Sequence, residues 1–164
     1  MRVLRLPPRI KILEAVGAIA DGRVECLDEK CGSARVASSE GDRVYKVYVD
    51  AARGVAYSDD NGTRYRGYIG YPIIAVLMIQ GVLPYDERIG EALKGIPWRR
   101  LNEEYKKYAT VERIVKKMAA ERGVDPAAID AYVDKVYKLL SGLKLKKLES
   151  PPLSAWATGR DSAG

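Results

Sequence analysis

The sequence predicts an α+β fold: an N-terminal helix, an antiparallel β-meander of four to five strands, then a C-terminal group of helices packed on one face of the sheet. Three observations predict it. Apolar residues recur at helical spacing as far as Gly22, the period shortens to two between Arg23 and Tyr71, and helical spacing returns from Pro72 onward.

The first helix is read from Ile10, Leu13, Val16 and Ile19 on one face, with Pro8 at its first position and Gly22 as its C-cap. Strand-period sequence follows, punctuated at Cys31-Gly-Ser33, Ser39-Glu-Gly-Asp42 and Asp60-Asn-Gly62. Residues 72–80 are apolar almost all round, as expected of a helix buried at the centre of the domain. Further helices are predicted over residues 87–94, 98–108, 110–122 and 126–141, with Thr110 as one N-cap and Asp125 as another, ahead of Pro126. In the last of them Ile129, Val133, Val136, Leu140 and Leu143 form a packing stripe among lysines. Residues 1–148 are therefore read as one domain, and residues 149–164, which have neither period nor core, as a flexible tail.

Composition narrows the chemistry. The chain of 164 residues carries 28 Lys and Arg against 22 Asp and Glu, a net charge of +6, which favours anionic partners. There is no His, which removes imidazole bases, Ser-His and Cys-His nucleophilic sites and histidine-bearing zinc sites. With no Phe, the aromatic surface comes from 11 Tyr and 2 Trp, whose flat faces and polar edges suit wet, stacked interfaces. Few amides beside 30% charged residues match proteins from very hot environments. Cys26 and Cys31 are compatible with a small disulfide or half a metal site, but two ordinary thiols is the preferred reading. Residues 1–8 lack the apolar stretch of a secretion signal, and the longest apolar run, residues 73–79, is far short of the roughly 20 residues of a membrane span. A cytoplasmic protein is expected, without a membrane partner. No Gly-rich phosphate loop follows a strand and opens a helix, and neither a metal nor a cofactor is expected.

The candidate site comes from strand alternation. Asn61-Gly62 is the preferred pair for a two-residue hairpin turn, which would set Asp59 opposite Arg64, Tyr57 opposite Arg66 and Val55 opposite Tyr68. A preceding turn at residues 51–54 would set Asp50 opposite Val55, Tyr48 opposite Tyr57 and Lys46 opposite Asp59. One face then collects Tyr48, Tyr57 and Arg66 in a row, flanked by Lys46 and Arg64 on one side and Tyr68 on the other. The opposite face, with Val47, Val49, Ala56, Ser58, Gly67 and Ile69, is small and apolar and suited to receive helices. Stacking aromatics beside cations is what single-stranded nucleic acid requires, each stacked base contributing about 1–3 kcal/mol. The expected contacts are Tyr48, Tyr57 and Tyr68 for bases, and Lys46, Arg53, Arg64, Arg66, Arg99 and Arg100 for phosphates. Trp98 joins them at a helix start, although a Trp there is more often a core anchor. Two alternatives stay open: a metal-dependent nuclease using Asp50, Asp59 and Asp60, and a protein–protein scaffold presenting the lysine-rich last helix.

The order of helix, meander and helices, with Gly67-Tyr-Ile-Gly-Tyr-Pro-Ile-Ile-Ala-Val-Leu-Met-Ile-Gln-Gly-Val-Leu-Pro84 and Ile96-Pro-Trp-Arg-Arg-Leu-Asn-Glu-Glu-Tyr105, resembles the ThermoDBP family. These are single-stranded DNA-binding proteins of hyperthermophilic crenarchaea of the order Thermoproteales. The resemblance covers Val3 to Leu148. It implies an α+β domain that is not an OB-fold and serves DNA replication and repair without being an enzyme. DNA would lie in a cleft between sheet and helices, apolar at its base and basic at its rim, without sequence preference, and Trp98, Arg99 and Arg100 would join that rim. RNA is also compatible with the residues. The family is expected to form homodimers through a C-terminal leucine zipper, whereas here Pro151-Pro152 leads into a segment without heptads.

Overall fold

The computed structural model describes residues 1–153. Helix α1 (Ile10–Ala20) leads into a sheet of β1 (Val24–Cys26), β2 (Ser33–Ala37), β3 (Val44–Asp50) and β4 (Val55–Ser58). Helices α2 (Asn61–Arg66), α3 (Tyr71–Ile79), α4 (Glu87–Ala92), α5 (Trp98–Tyr105), α6 (Tyr108–Glu121) and α7 (Pro126–Ser141) follow, and β5 (Lys146–Lys147) closes the sheet. The fold is α+β, as predicted. Residues 154–164, most of the predicted tail, lie outside the described residues.

Strand order is β1-β2-β3-β4-β5; the first four strands form the antiparallel meander and β5 adds parallel to β4, with Val55 beside Lys146. The inner face is built of Ala34, Val36, Val47, Val49 and Ala56, each no more than 2% exposed. Helix α3 packs on β3 and β4 there, with α1 behind it, and residues 73–77 of α3 are wholly enclosed. That is the buried central helix the all-round apolar sequence predicts.

Helix ends follow local chemistry closely. Gly22, just beyond α1, takes a φ of 69°, and the Asp125 side chain accepts from the Ala127 N–H at the start of α7. Three starts differ from expectation, that of α3 by a single residue, at Tyr71 rather than Pro72. Helix α1 begins at Ile10 rather than Pro8, and α6 begins at Tyr108, so Thr110 sits inside its first turn.

The largest correction concerns Asn61-Gly62, which forms no hairpin turn. Asp60 instead caps a helix, its carboxylate accepting from the Thr63 N–H at 3.1 Å and the Thr63 hydroxyl at 2.9 Å. The Ser58 hydroxyl also donates to Asp60. Cap chemistry at Asp60 therefore wins over turn preference at Asn61-Gly62. Gly62 is required for a different reason: a Cβ there would lie 2.4 Å from the Tyr68 ring. No strand runs over residues 63–69, and the pairings of Tyr57 with Arg66, Asp59 with Arg64 and Val55 with Tyr68 do not form.

Cys26 and Cys31 are joined as a disulfide, with Cα atoms 4.8 Å apart, against the preferred reading of two thiols. The connection between β1 and β2 brings them together.

Candidate functional site

The residues singled out by strand alternation divide between two places. On the outer sheet face Tyr48 stands opposite Tyr57, the register the sequence predicts, and Lys46 follows on the same face. Both tyrosines are half-buried and Lys46 is exposed. Burial raises the pKa of the Tyr57 hydroxyl; Asp59 adds to the rise and Arg64 opposes it. Arg35 stands opposite Lys46 on β2 and pairs with Glu25 at 3.5 Å. Arg53 is exposed in the turn between β3 and β4, its N–H donating to Asp50 at 3.1 Å.

Arg64, Arg66 and Tyr68 leave this face because residues 61–66 coil into α2. Arg64 is exposed, its guanidinium 5.7 Å from the Tyr65 ring centroid. Arg66 and Tyr68 turn toward a second place, a cleft of about 340 Å³. It opens where α1, the β2–β3 turn, α2, the start of α3 and α5 converge. Tyr68 is only 8% exposed, so it is a wall rather than an open platform. Burial pushes its pKa up to about 12 against the pull of Lys11, and its hydrogen bond to Tyr108 adds to the rise.

Tyr45, Tyr71 and Tyr108 complete the aromatic lining. Tyr45 and Tyr71 meet edge to face, centroids 6.2 Å apart, and burial raises the Tyr71 hydroxyl strongly. At the floor Lys11 pairs with Glu14 at 2.9 Å, beneath the Tyr108 ring centroid 5.0 Å away. Burial alone would lower the Lys11 pKa, but Glu14, Tyr68 and Tyr108 hold it above the ordinary lysine range. Lys11 is thus a fixed cation. The Asn102 amide donates to Glu14 at 3.3 Å.

Trp98 is a core residue, 2% exposed, lying over Gly17 of α1, where a Cβ would fall 2.5 Å from its indole nitrogen. Only part of it reaches the cleft wall. Arg99 lines the cleft but is bound to Asp42 and, at 3.3 Å, to Glu103. Asp42 raises its pKa, and Arg99 in turn lowers that of Asp42. Arg100 is exposed, 4.0 Å from Glu40. At the cleft mouth Arg43 and Arg66 are exposed and make no ion pair among the described residues.

The aspartates of the nuclease reading have structural tasks. Asp50 accepts from Arg53, Asp59 accepts from the Lys46 N–H at 2.8 Å, and Asp60 caps α2 while 5% exposed. Among the described residues no three His, Cys, Asp or Glu side chains group to hold a metal. No described helix is long and apolar enough to cross a membrane.

Sequence reasoning missed Lys11, Glu14, Arg43, Tyr45, Tyr71, Asn102 and Tyr108. One signal was available: Tyr45 shares strand parity with Val47 and Val49, an aromatic at the end of the apolar face. The others meet only through helix packing.

No curated protein and no solved structure matches this chain. Residues 4–146, which hold α1 to α7 and most of the sheet around the cleft, match the family described as Uncharacterised conserved protein UCP014422, and the chain belongs to that family.

Proposed function

We propose that the protein is a non-enzymatic, sequence-independent binder of single-stranded DNA in the cytoplasm, holding bases against the tyrosines of the cleft and phosphates on its arginine rim. One observation carries this reading: Tyr45, Tyr68, Tyr71 and Tyr108 line one cleft whose mouth holds Arg43 and Arg66 without ion-pair partners among the described residues. Flat rings beside available cations are the two components of single-strand binding. Arg99 contributes less, since phosphate binding there must displace Asp42 or Glu103. The resemblance to ThermoDBP likewise implies a cleft between sheet and helices with Arg99 at its rim, although the Lys11–Glu14 pair and Asn102 at the floor depart from the apolar base it implies. Tyr48, Tyr57 and Lys46 on the outer face form a second, more open platform.

Titration of a fluorescent oligothymidine at several salt concentrations tests the proposal. Binding should weaken with salt, without cleavage when Mg²⁺ is added. Arg43→Ala and Arg66→Ala should each reduce the log–log salt slope by about 0.7 while leaving thermal stability nearly unchanged. The Tyr48→Ala/Tyr57→Ala double variant should cost less affinity than the Arg43→Ala/Arg66→Ala pair. Absence of binding at low salt would eliminate the proposal, and a larger loss from the tyrosine pair would move the site to the outer sheet face.

A further inference from the structure

A second groove, of about 540 Å³, adjoins the cleft between the N-terminal segment and α2. Arg5, Leu6, Pro8 and Tyr65 line it together with Arg66 and Tyr68, which also line the cleft, so the two are neighbours across those side chains. Backbone bonds hold its walls. The Arg5 N–H donates to the Gly67 carbonyl at 2.9 Å, the Ile69 N–H donates to the Arg5 carbonyl at 3.0 Å, and the Arg5 guanidinium donates to the Arg66 carbonyl. The groove is therefore formed before any ligand arrives.

The two differ in charge. Glu14, Asp60 and Glu103 line the cleft, whereas no carboxylate lines the groove. Arg5 and Arg66 stand in the groove, and Arg64 and Lys147 stand beside it, the Lys147 ammonium donating to the Arg64 carbonyl at 3.0 Å. None of these four cations forms an ion pair among the described residues. Like charges gathered without counter-charges favour an anion from outside the chain.

The same groove presents an open ring. Tyr65 is 73% exposed, so core packing does not use its faces, and the Arg64 guanidinium lies 5.7 Å from its centroid. Leu6, 38% exposed, and the half-buried Pro8 add apolar surface. An accessible aromatic face with cations beside it suits an unstacked base and its phosphates. We infer that this groove is a second nucleotide subsite, taking the part of the strand next to that held in the cleft. The base stacks on Tyr65, its flanking phosphates lie on Arg5 and Arg64, and Arg66 bridges the two subsites. The inference rests on the function proposed above and extends its site beyond the cleft.

Photo-cross-linking of the unaltered chain reads the contact directly, so the test does not depend on a variant folding. Oligothymidines carrying one 5-iodouracil at successive positions are bound, irradiated, and the joined peptides identified by mass spectrometry. Tyr65 should be joined from some positions and a cleft tyrosine from neighbouring ones. In anisotropy titrations Tyr65→Ala should weaken binding roughly tenfold, and Tyr65→Phe, which keeps the flat ring, should bind as the unaltered chain does. Arg5→Gln/Arg64→Gln should lower the log–log salt slope by about 1.4, the share of two phosphates. The three side chains are exposed, so thermal midpoints should hardly move. Cross-links in the cleft without any at Tyr65, or unchanged affinity in Tyr65→Ala, overturn the subsite and leave the single-strand proposal standing. Absence of oligothymidine binding at low salt overturns both.

Discussion

Lys11 and Glu14 show how one charged pair serves both stability and the site. The Glu14 carboxylate is enclosed, and replacing it by Ala would leave the Lys11 cation in a low-dielectric floor with no carboxylate beside it. Breaking such a pair typically costs about 3 kcal/mol, so Glu14→Ala should shift the urea midpoint sharply downward. A second consequence concerns pH. Lys11 and Tyr68 both have folded-state pKa values above their ordinary ones, that of Tyr68 reaching about 12. Each binds its proton more tightly folded than unfolded, so its contribution to stability is complete below about pH 10 and is lost as pH rises through the alkaline range. Thermal midpoints measured across that range should fall from about pH 10 upward. Tyr68→Phe should make the fall shallower, and an unaltered slope would show that Tyr68 is not its source.

At the scale of elements, α2 decides which tyrosines and arginines face the same way. If residues 61–66 formed a hairpin turn, Gly62→Ala would strain only the turn. In α2 it would drive a methyl group into the Tyr68 ring, and Asp60→Ala would remove a cap that is itself enclosed. Calorimetry should therefore show Asp60→Ala losing about 2 kcal/mol, at the upper end for a cap, and Gly62→Ala destabilising by displacing Tyr68. The contrast also explains what was legible in the sequence. The β3–β4 register followed from a short turn and strict alternation, both local, and Tyr48 does meet Tyr57. Asp60-Asn-Gly62 carried two local signals at once, a turn pair and a helix cap. Only the packing of Tyr68 on Gly62 and of Thr63 beneath Asp60 selects the cap. The β1–β2 connection is stapled by Cys26 and Cys31, five residues apart. Closing so short a loop contributes about 2 kcal/mol on the chain-entropy account, so Cys26→Ser/Cys31→Ser should lose about that much in denaturant unfolding. A loss near zero would mean that the loop is ordered without it.

For the whole molecule, the candidate site belongs to no single stretch of sequence. Its floor comes from α1 and α5, its mouth from the β2–β3 turn and α2, and its inner wall from the start of α3. Alternation and helical period describe one element at a time, which is why the outer sheet face was readable and the cleft was not. Arg66 and Arg99 were found because basic residues are visible anywhere; Lys11 and Glu14 were hidden in a helix whose apolar face dominated its pattern. The same long-range character governs the edge of the sheet. Leu4 donates to the Leu145 carbonyl at 2.8 Å and Lys147 to that of Arg2 at 2.7 Å, while Lys146 and Leu148 donate to Gly54 and Ala56. Segments far apart in the sequence are thus laced into one ladder. During translation the edge of β4 waits uncovered until residues 145–148 leave the ribosome, so a nascent chain halted before residue 145 should bind chaperones that the released protein does not.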